Sequence, residues 1–258
     1  MGKVKLPSQL KICFIAYRFP ILSRATDHGL LWPIAKGLAQ MGHSVTVISA
    51  KSAIGKYEVQ RDGVKAFYLF DGFPNDSHMS FEKAAFKKFT EIHEKDPFHI
   101  VHSIDRSAYN ISKHKDFLKV AVAYDVEATQ IAQIFSILGM AQESLKSLLA
   151  TGIAVSYKFL TTYFGSDRKL LKSSDGIFVT NPQQRIFLER YYAYPDFHIY
   201  TAPYGIELGA LGEHPEDQEL RRYYKIPENA KIALTVTDMT EAREVNVLLR
   251  AFERIVMK

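Results

Sequence analysis

Cysteine is nearly missing from this 258-residue sequence: Cys13 is its one thiol, so no internal disulfide can form and a reducing, cytoplasmic compartment is expected. Residues 1–10 have no apolar core of the kind a signal peptide needs. No stretch offers about 18 uninterrupted apolar residues, which argues against a membrane-spanning helix. Lysine and arginine exceed the acids, 33 against 28, but never gather in a dense run, so nucleic acid is not an expected partner. The three-glycine dinucleotide fingerprint is also missing, and no His/Asp/Cys group falls at metal-ligand spacing. Neither a nicotinamide cofactor nor a metal is therefore expected.

What is present is an ordinary globular composition, 47% hydrophobic and 24% charged, with a net charge of +5 that favours anionic partners. Apolar, β-branched runs alternate with helix-period segments. Strands are predicted at 11–17, 44–50, 64–70, 99–103, 119–124, 176–180 and 198–201, with helices over 30–41 and 80–95. Leu31, Ile34, Leu38 and Met41 fall on one face of the first helix, and Gly42 supplies its stop. Cys13 lies in an apolar strand and reads as a small hydrophobe. This alternation predicts an α/β fold with a doubly wound, Rossmann-like parallel sheet whose ligands bind beyond the carboxyl ends of the strands. The length predicts one large domain over 1–208, a polar linker over 209–230, and a strand (231–237) and helix (242–257) that begin a second, incomplete domain.

Residues 128–171 depart from the alternation. Two helices broken at Thr151-Gly152 are expected, carrying many apolar residues interleaved with Lys146, Lys158, Arg168, Lys169 and Lys172. Two readings stay open: the apolar face packs on the sheet, or it lies on an anionic membrane surface, which would be the inner face.

Several segments are similar to one family. Ser174-Asp175-Gly176-Ile177-Phe178-Val179-Thr180-Asn181, then Gln184, Phe187 and Leu188, precede the turn Pro203-Tyr204-Gly205-Ile206-Glu207. Phe19-Pro20 and Asp27-His28-Gly29 follow the first strand, Gly42-His43-Ser44-Val45 leads into the second, and Phe98-His99-Ile100-Val101-His102-Ser103 forms another. Over nearly the whole chain these resemble the retaining GT-B glycosyltransferases of the large family 4. The resemblance implies transfer of a sugar from a nucleotide-sugar donor to a glycan or lipid-linked acceptor, with no cofactor. It implies acceptor or sugar contacts at His28, Gly29, His102, Tyr124, Asp125 and Glu127, and donor contacts at Tyr204, Gly205 and Arg243; it identifies no catalytic residue.

Departures from the family pattern matter too. His99 stands for an acid, Tyr124 for a sugar-contacting histidine, and Asp238 for an arginine that grips the donor diphosphate. His102 also suits a packing role, and Asp125 or Glu127 can equally cap the next helix. A non-catalytic, glycosyltransferase-like binding protein is the alternative. The family's pair of glutamates seven residues apart lies beyond residue 258, so this chain by itself is expected to turn over no nucleotide sugar. Release of nucleoside diphosphate by the purified chain would overturn that.

Overall fold

A computed structural model of the chain describes residues 8–19, 21, 31–52, 55–70, 77–126, 145–203, 218–232 and 242–256. The chain divides into two compact units, residues 1–206 and 207–258. In the first, eight strands form one sheet among the described residues: β1 (Lys11–Ala16), β2 (Ser44–Lys51), β3 (Glu58–Arg61), β4 (Val64–Phe70), β5 (Ile100–Ile104), β6 (Ala121–Val126), β7 (Gly176–Val179) and β8 (Ile199–Thr201). Their order is β3-β4-β2-β1-β5-β6-β7-β8, and every pairing is parallel except β3 with β4.

Strands buried on both faces read as nearly continuous apolar runs, as β1 and β2 do. Ile12, Phe14 and Ala16 face a cluster completed by Leu31 and Ala35 of α1 (Leu31–Gln40). Cys13 and Ile15 face the other side, where Phe81, Ala85 and Phe89 of α2 (Ser77–Lys95) recur every fourth residue and form one buried stripe. Burying each of those phenylalanines contributes about 2–3 kcal/mol. Further along that side, α3 (Tyr109–Ser112), which α4 (Lys115–Leu118) follows, meets α6 (Ser166–Ser173) and α7 (Pro182–Tyr192) in a third cluster around Tyr124, Val126, Ile177 and Val179.

Several details depart from what the sequence predicts. The strand β3 was not expected; Asp62 and Gly63, both at positive φ, make the two-residue turn that folds it against β4. Met41 lies just past the end of α1 and is exposed, because Gly42 at φ +91 already reverses the chain there. One uninterrupted helix, α5 (Leu145–Phe164), runs through Thr151-Gly152, and the break comes at Gly165. A single glycine costs a helix about 1 kcal/mol, less than the flanking leucines and alanines contribute. Finally, the expected linker holds a short helix, α8 (Gln218–Tyr223), tied down by Arg221, which donates to Pro227 O (2.8 Å) and Ala230 O (3.5 Å).

In the second unit α9 (Ala242–Val256) follows; Lys231 and Ile232 are not in a strand, and the remainder of that predicted strand lies outside the described residues.

Cys13 is wholly buried, and burial pushes its thiol well above the usual range. Maleimide labelling of the native protein should therefore proceed at the rate of unfolding. Fast labelling under native conditions would contradict this packing.

Candidate functional site

In a doubly wound sheet the binding crevice opens where the strand order changes direction, beyond the carboxyl ends. That point lies between β1 and β5, because β2 and β5 flank β1 on opposite sides. Tyr17 and Arg18 follow β1 there, and Asp105 and Arg106 follow β5.

Asp105 takes φ +47, a left-handed conformation that costs most L-residues about 1–2 kcal/mol. Its turn is held at several points. Ser103 Oγ, fully buried, donates to Asp105 O (2.8 Å) and accepts from Ala108 N (2.9 Å). Arg106 Nε donates to Glu82 Oε1 at 2.6 Å, and Glu82 is buried in α2. The sequence reading missed Asp105. The one available signal was an aspartate, a residue tolerant of this conformation, directly after a strand at the crevice rim.

The loop after β1 is pinned from the opposite side. Tyr68 O–H donates to Phe19 O (3.0 Å), Arg61 donates to Ile21 O (2.9 Å), and Arg61 also lies 5.3 Å from the Trp32 ring centroid. The unforeseen hairpin of β3 and β4 thus anchors the start of the segment that leads to His28 and Gly29, both of which lie outside the described residues.

His102 and Asp125 are brought together. His102 is the middle residue of β5, not at its carboxyl end as expected, and its ring is stacked between Phe14 (4.7 Å) and Phe178 (5.5 Å). Its Nε2 lies 3.5 Å from Asp125 Oδ2, with both side chains largely out of water. Tyr124 does not join them. Successive strand residues face opposite sides, so Tyr124 packs in the cluster with Tyr109, Leu170 and Ile177. Glu127, Tyr204 and Gly205 lie outside the described residues, and Arg243 is the second residue of α9 with its side chain likewise outside them. Among the described residues no group of three or more His, Cys, Asp or Glu is arranged to hold a metal ion.

The segment that carried the resemblance has a local physical role. Asp175 Oδ2 accepts from Val122 N (2.8 Å) and Oδ1 from Lys115 Nζ (2.6 Å), which locks the start of β7 to β6. Asn181 Oδ1 accepts from Gln184 N (3.0 Å), while Gln184 Oε1 accepts from Thr180 N (2.7 Å), a reciprocal cap for α7 with Pro182 in its first turn. Gly176 leaves room for Tyr200, whose ring would sit 3.3 Å from a Cβ there.

Two predictions follow from these contacts. Burial raises the Tyr68 phenol from the usual 10 to about 12. Its protonated form therefore supports the fold fully below pH 10, and that support is lost as pH rises through 12. Alkaline denaturation of Tyr68→Phe should lose this slope, and the variant should be about 1 kcal/mol less stable at pH 7; an unchanged alkaline slope would disprove the linkage. His102→Ala should cost about 3 kcal/mol, since it opens a cavity between Phe14 and Phe178 and removes one polar neighbour of Asp125. A loss under 1 kcal/mol in urea unfolding would mean that the pair contributes little.

No protein-family model and no curated protein sequence matches the chain. Solved structures do resemble it. Sucrose-phosphate synthase from Thermosynechococcus elongatus superposes with a TM-score of 0.70 at 14% identity, covering 95% of this chain and 60% of that one. The catalytic domain of starch synthase IV from Arabidopsis thaliana, bound to ADP and acarbose, gives 0.62 at 10% identity, with 97% and 67% covered. A glycosyltransferase from Rickettsia africae ESF-5 gives 0.59 at 16% identity, with 96% and 58% covered. The chain thus spans about 60% of the length of the first of these, and at such identities the likeness is one of fold. That fold is the mostly parallel α/β architecture of GT-B glycosyltransferase domains.

Proposed function

We propose that the chain supplies the acceptor-side part of a retaining, family-4-like glycosyltransferase that moves a sugar from a nucleotide-sugar donor to a glycan or lipid-linked acceptor. One observation carries the reading: a parallel sheet with its change of direction between β1 and β5, in a fold shared with three sugar-transferring enzymes or their catalytic domains. Catalysis of this kind needs little covalent chemistry from the protein. Leaving diphosphate charge is met by cations, for which Arg243 is the candidate here, and the acceptor is held in line by polar groups at the crevice. On this reading His28, Gly29, His102, Asp125 and Glu127 serve the acceptor or the transferred sugar, and Tyr204 and Gly205 lie by the donor. No metal or other cofactor takes part.

Saturation-transfer NMR tests the acceptor side with glucose, fructose, maltose and sucrose as probes. At least one saccharide should receive saturation from the protein, and none doing so would refute the reading.

A second reading, a glycosyltransferase-like domain that binds without catalysing, gains from one observation. Tyr124, at the place of the family's sugar-contacting histidine, is buried in the core and shares no face with Asp125. Saccharide binding without nucleotide-sugar turnover in the intact gene product favours it, and turnover eliminates it.

The chain is further proposed to touch the inner face of an anionic membrane. No helix among the described residues is long and apolar enough to cross a bilayer. However, Leu149, Ile153, Tyr157 and Leu160 recur every three or four residues along α5 and are 55–72% exposed, while Lys146, Lys169 and Lys172 lie nearby in sequence. Sedimentation with phosphatidylglycerol vesicles should fall at least fivefold in a variant with Ile153, Tyr157 and Leu160 all changed to Ser. Equal sedimentation of both proteins would exclude the contact.

A further inference from the structure

A cavity of about 270 Å³ opens at the amino ends of β7 and β8, the end of the sheet away from the crevice. Ser174 and Tyr192 form buried parts of its wall, Tyr194 is half-buried, and Arg168, Lys172 and His198 bring three basic groups to it. Two acids near it in sequence are engaged elsewhere. Asp175 is held by Lys115 and by the Val122 amide, and Asp196 pairs with Arg185.

Basic residues at such a place often serve only to offset the carbonyl ends of helices, and α6 and α7 both end here. In this protein two of the carbonyls at those ends, Leu170 O and Leu188 O, already have donors. Leu170 O accepts from Ser174 N (2.9 Å), Ser174 Oγ (2.7 Å) and Ser173 Oγ (3.0 Å). Leu188 O accepts from Tyr194 N (3.2 Å) and from the backbone N–H of Ala193, which takes φ +50 and turns the chain back over the cavity. Those two carbonyls therefore do not call on the basic groups as caps, and Lys172 makes no hydrogen bond or ion pair among the described residues. Tyr194, whose O–H donates to Ser174 O (3.4 Å) and whose pKa is raised chiefly by burial and secondarily by Asp175 and Tyr200, presents its ring to the cavity as a neutral wall.

We propose that this cavity binds a phosphate monoester, with the anion held by Arg168, Lys172 and His198 and the carbon skeleton laid against Tyr192 and Tyr194. Its size suits a phosphate on a group about as large as one sugar ring, and the aromatic walls suit the ring's apolar faces. Two sources share this chemistry, a soluble sugar phosphate and the phosphate headgroup of a lipid. The site is separate from the crevice and stands whether or not the crevice transfers sugar.

Titration calorimetry with glucose 6-phosphate, inorganic phosphate and glucose, and sedimentation with phosphatidylcholine vesicles with and without phosphatidic acid, test it on wild type and on Lys172→Ala, His198→Gln and Lys95→Ala. Either glucose 6-phosphate or phosphatidic acid vesicles should bind, the first identifying a soluble ligand and the second a headgroup, while glucose and pure phosphatidylcholine should not. Lys172→Ala and His198→Gln should each weaken binding about tenfold at unchanged melting temperature, and Lys95→Ala, on exposed α2 surface, should leave it intact. Absence of binding by both glucose 6-phosphate and phosphatidic acid vesicles, or an equal loss in all three variants, overturns the proposal.

Discussion

The hydrogen-bonded pairing of β1 with β2 on one flank and β5 on the other is the constraint on which the remaining architecture depends. It sends successive crossovers to opposite sides of the first strand, and so fixes the reversal of strand order at which a doubly wound sheet takes its ligands. It also commits β1 to burial on both faces, which is why Ile12 to Ala16 contains no polar side chain beyond the inert Cys13. Everything placed near the rim, from the tethered Asp105 turn to the loop held by Tyr68 and Arg61, takes its position from those two ladders.

Most of the sheet was legible because burial on two sides writes itself as unbroken apolar runs, and the helices that cover them repeat every three or four residues, as Phe81, Ala85 and Phe89 do. What escaped had weaker signatures. Glu58–Arg61 is polar and exposed, so only the Asp62-Gly63 turn announced β3. Gly152 looked like a break since glycine is a poor helix former, yet its neighbours outweigh it in α5. Met41 shares the helical period of Leu31, Ile34 and Leu38 in sequence, yet α1 ends at Gln40, just before Gly42 reverses the chain.

The site was legible in type more than in detail. His102 and Asp125 do meet, though nothing in the order of residues shows that two phenylalanine-type rings from β1 and β7 sandwich the imidazole. Tyr124 and Asp125 are adjacent in sequence and were grouped together, but the pleat sends them to opposite faces. The Asp105 conformation is a tertiary product of Ser103, Ala108 and the Arg106–Glu82 pair, and a single sequence has no term for it. The likeness to glycosyltransferases lies in backbone path, since at 10–16% identity few side chains are shared.

The outermost strands are β3, four residues long and antiparallel to the rest, and β8, three residues long. Unpaired peptide groups at a sheet margin can recruit another polypeptide and seed fibres, and long apolar strands such as β1 and β2 are the dangerous ones. Here those lie innermost, while the margins offer only a few exposed rungs bearing Glu58, Gln60, Arg61 and Tyr200. Among the described residues, strand order by itself thus keeps the segments most apt to template self-association away from the sheet margins.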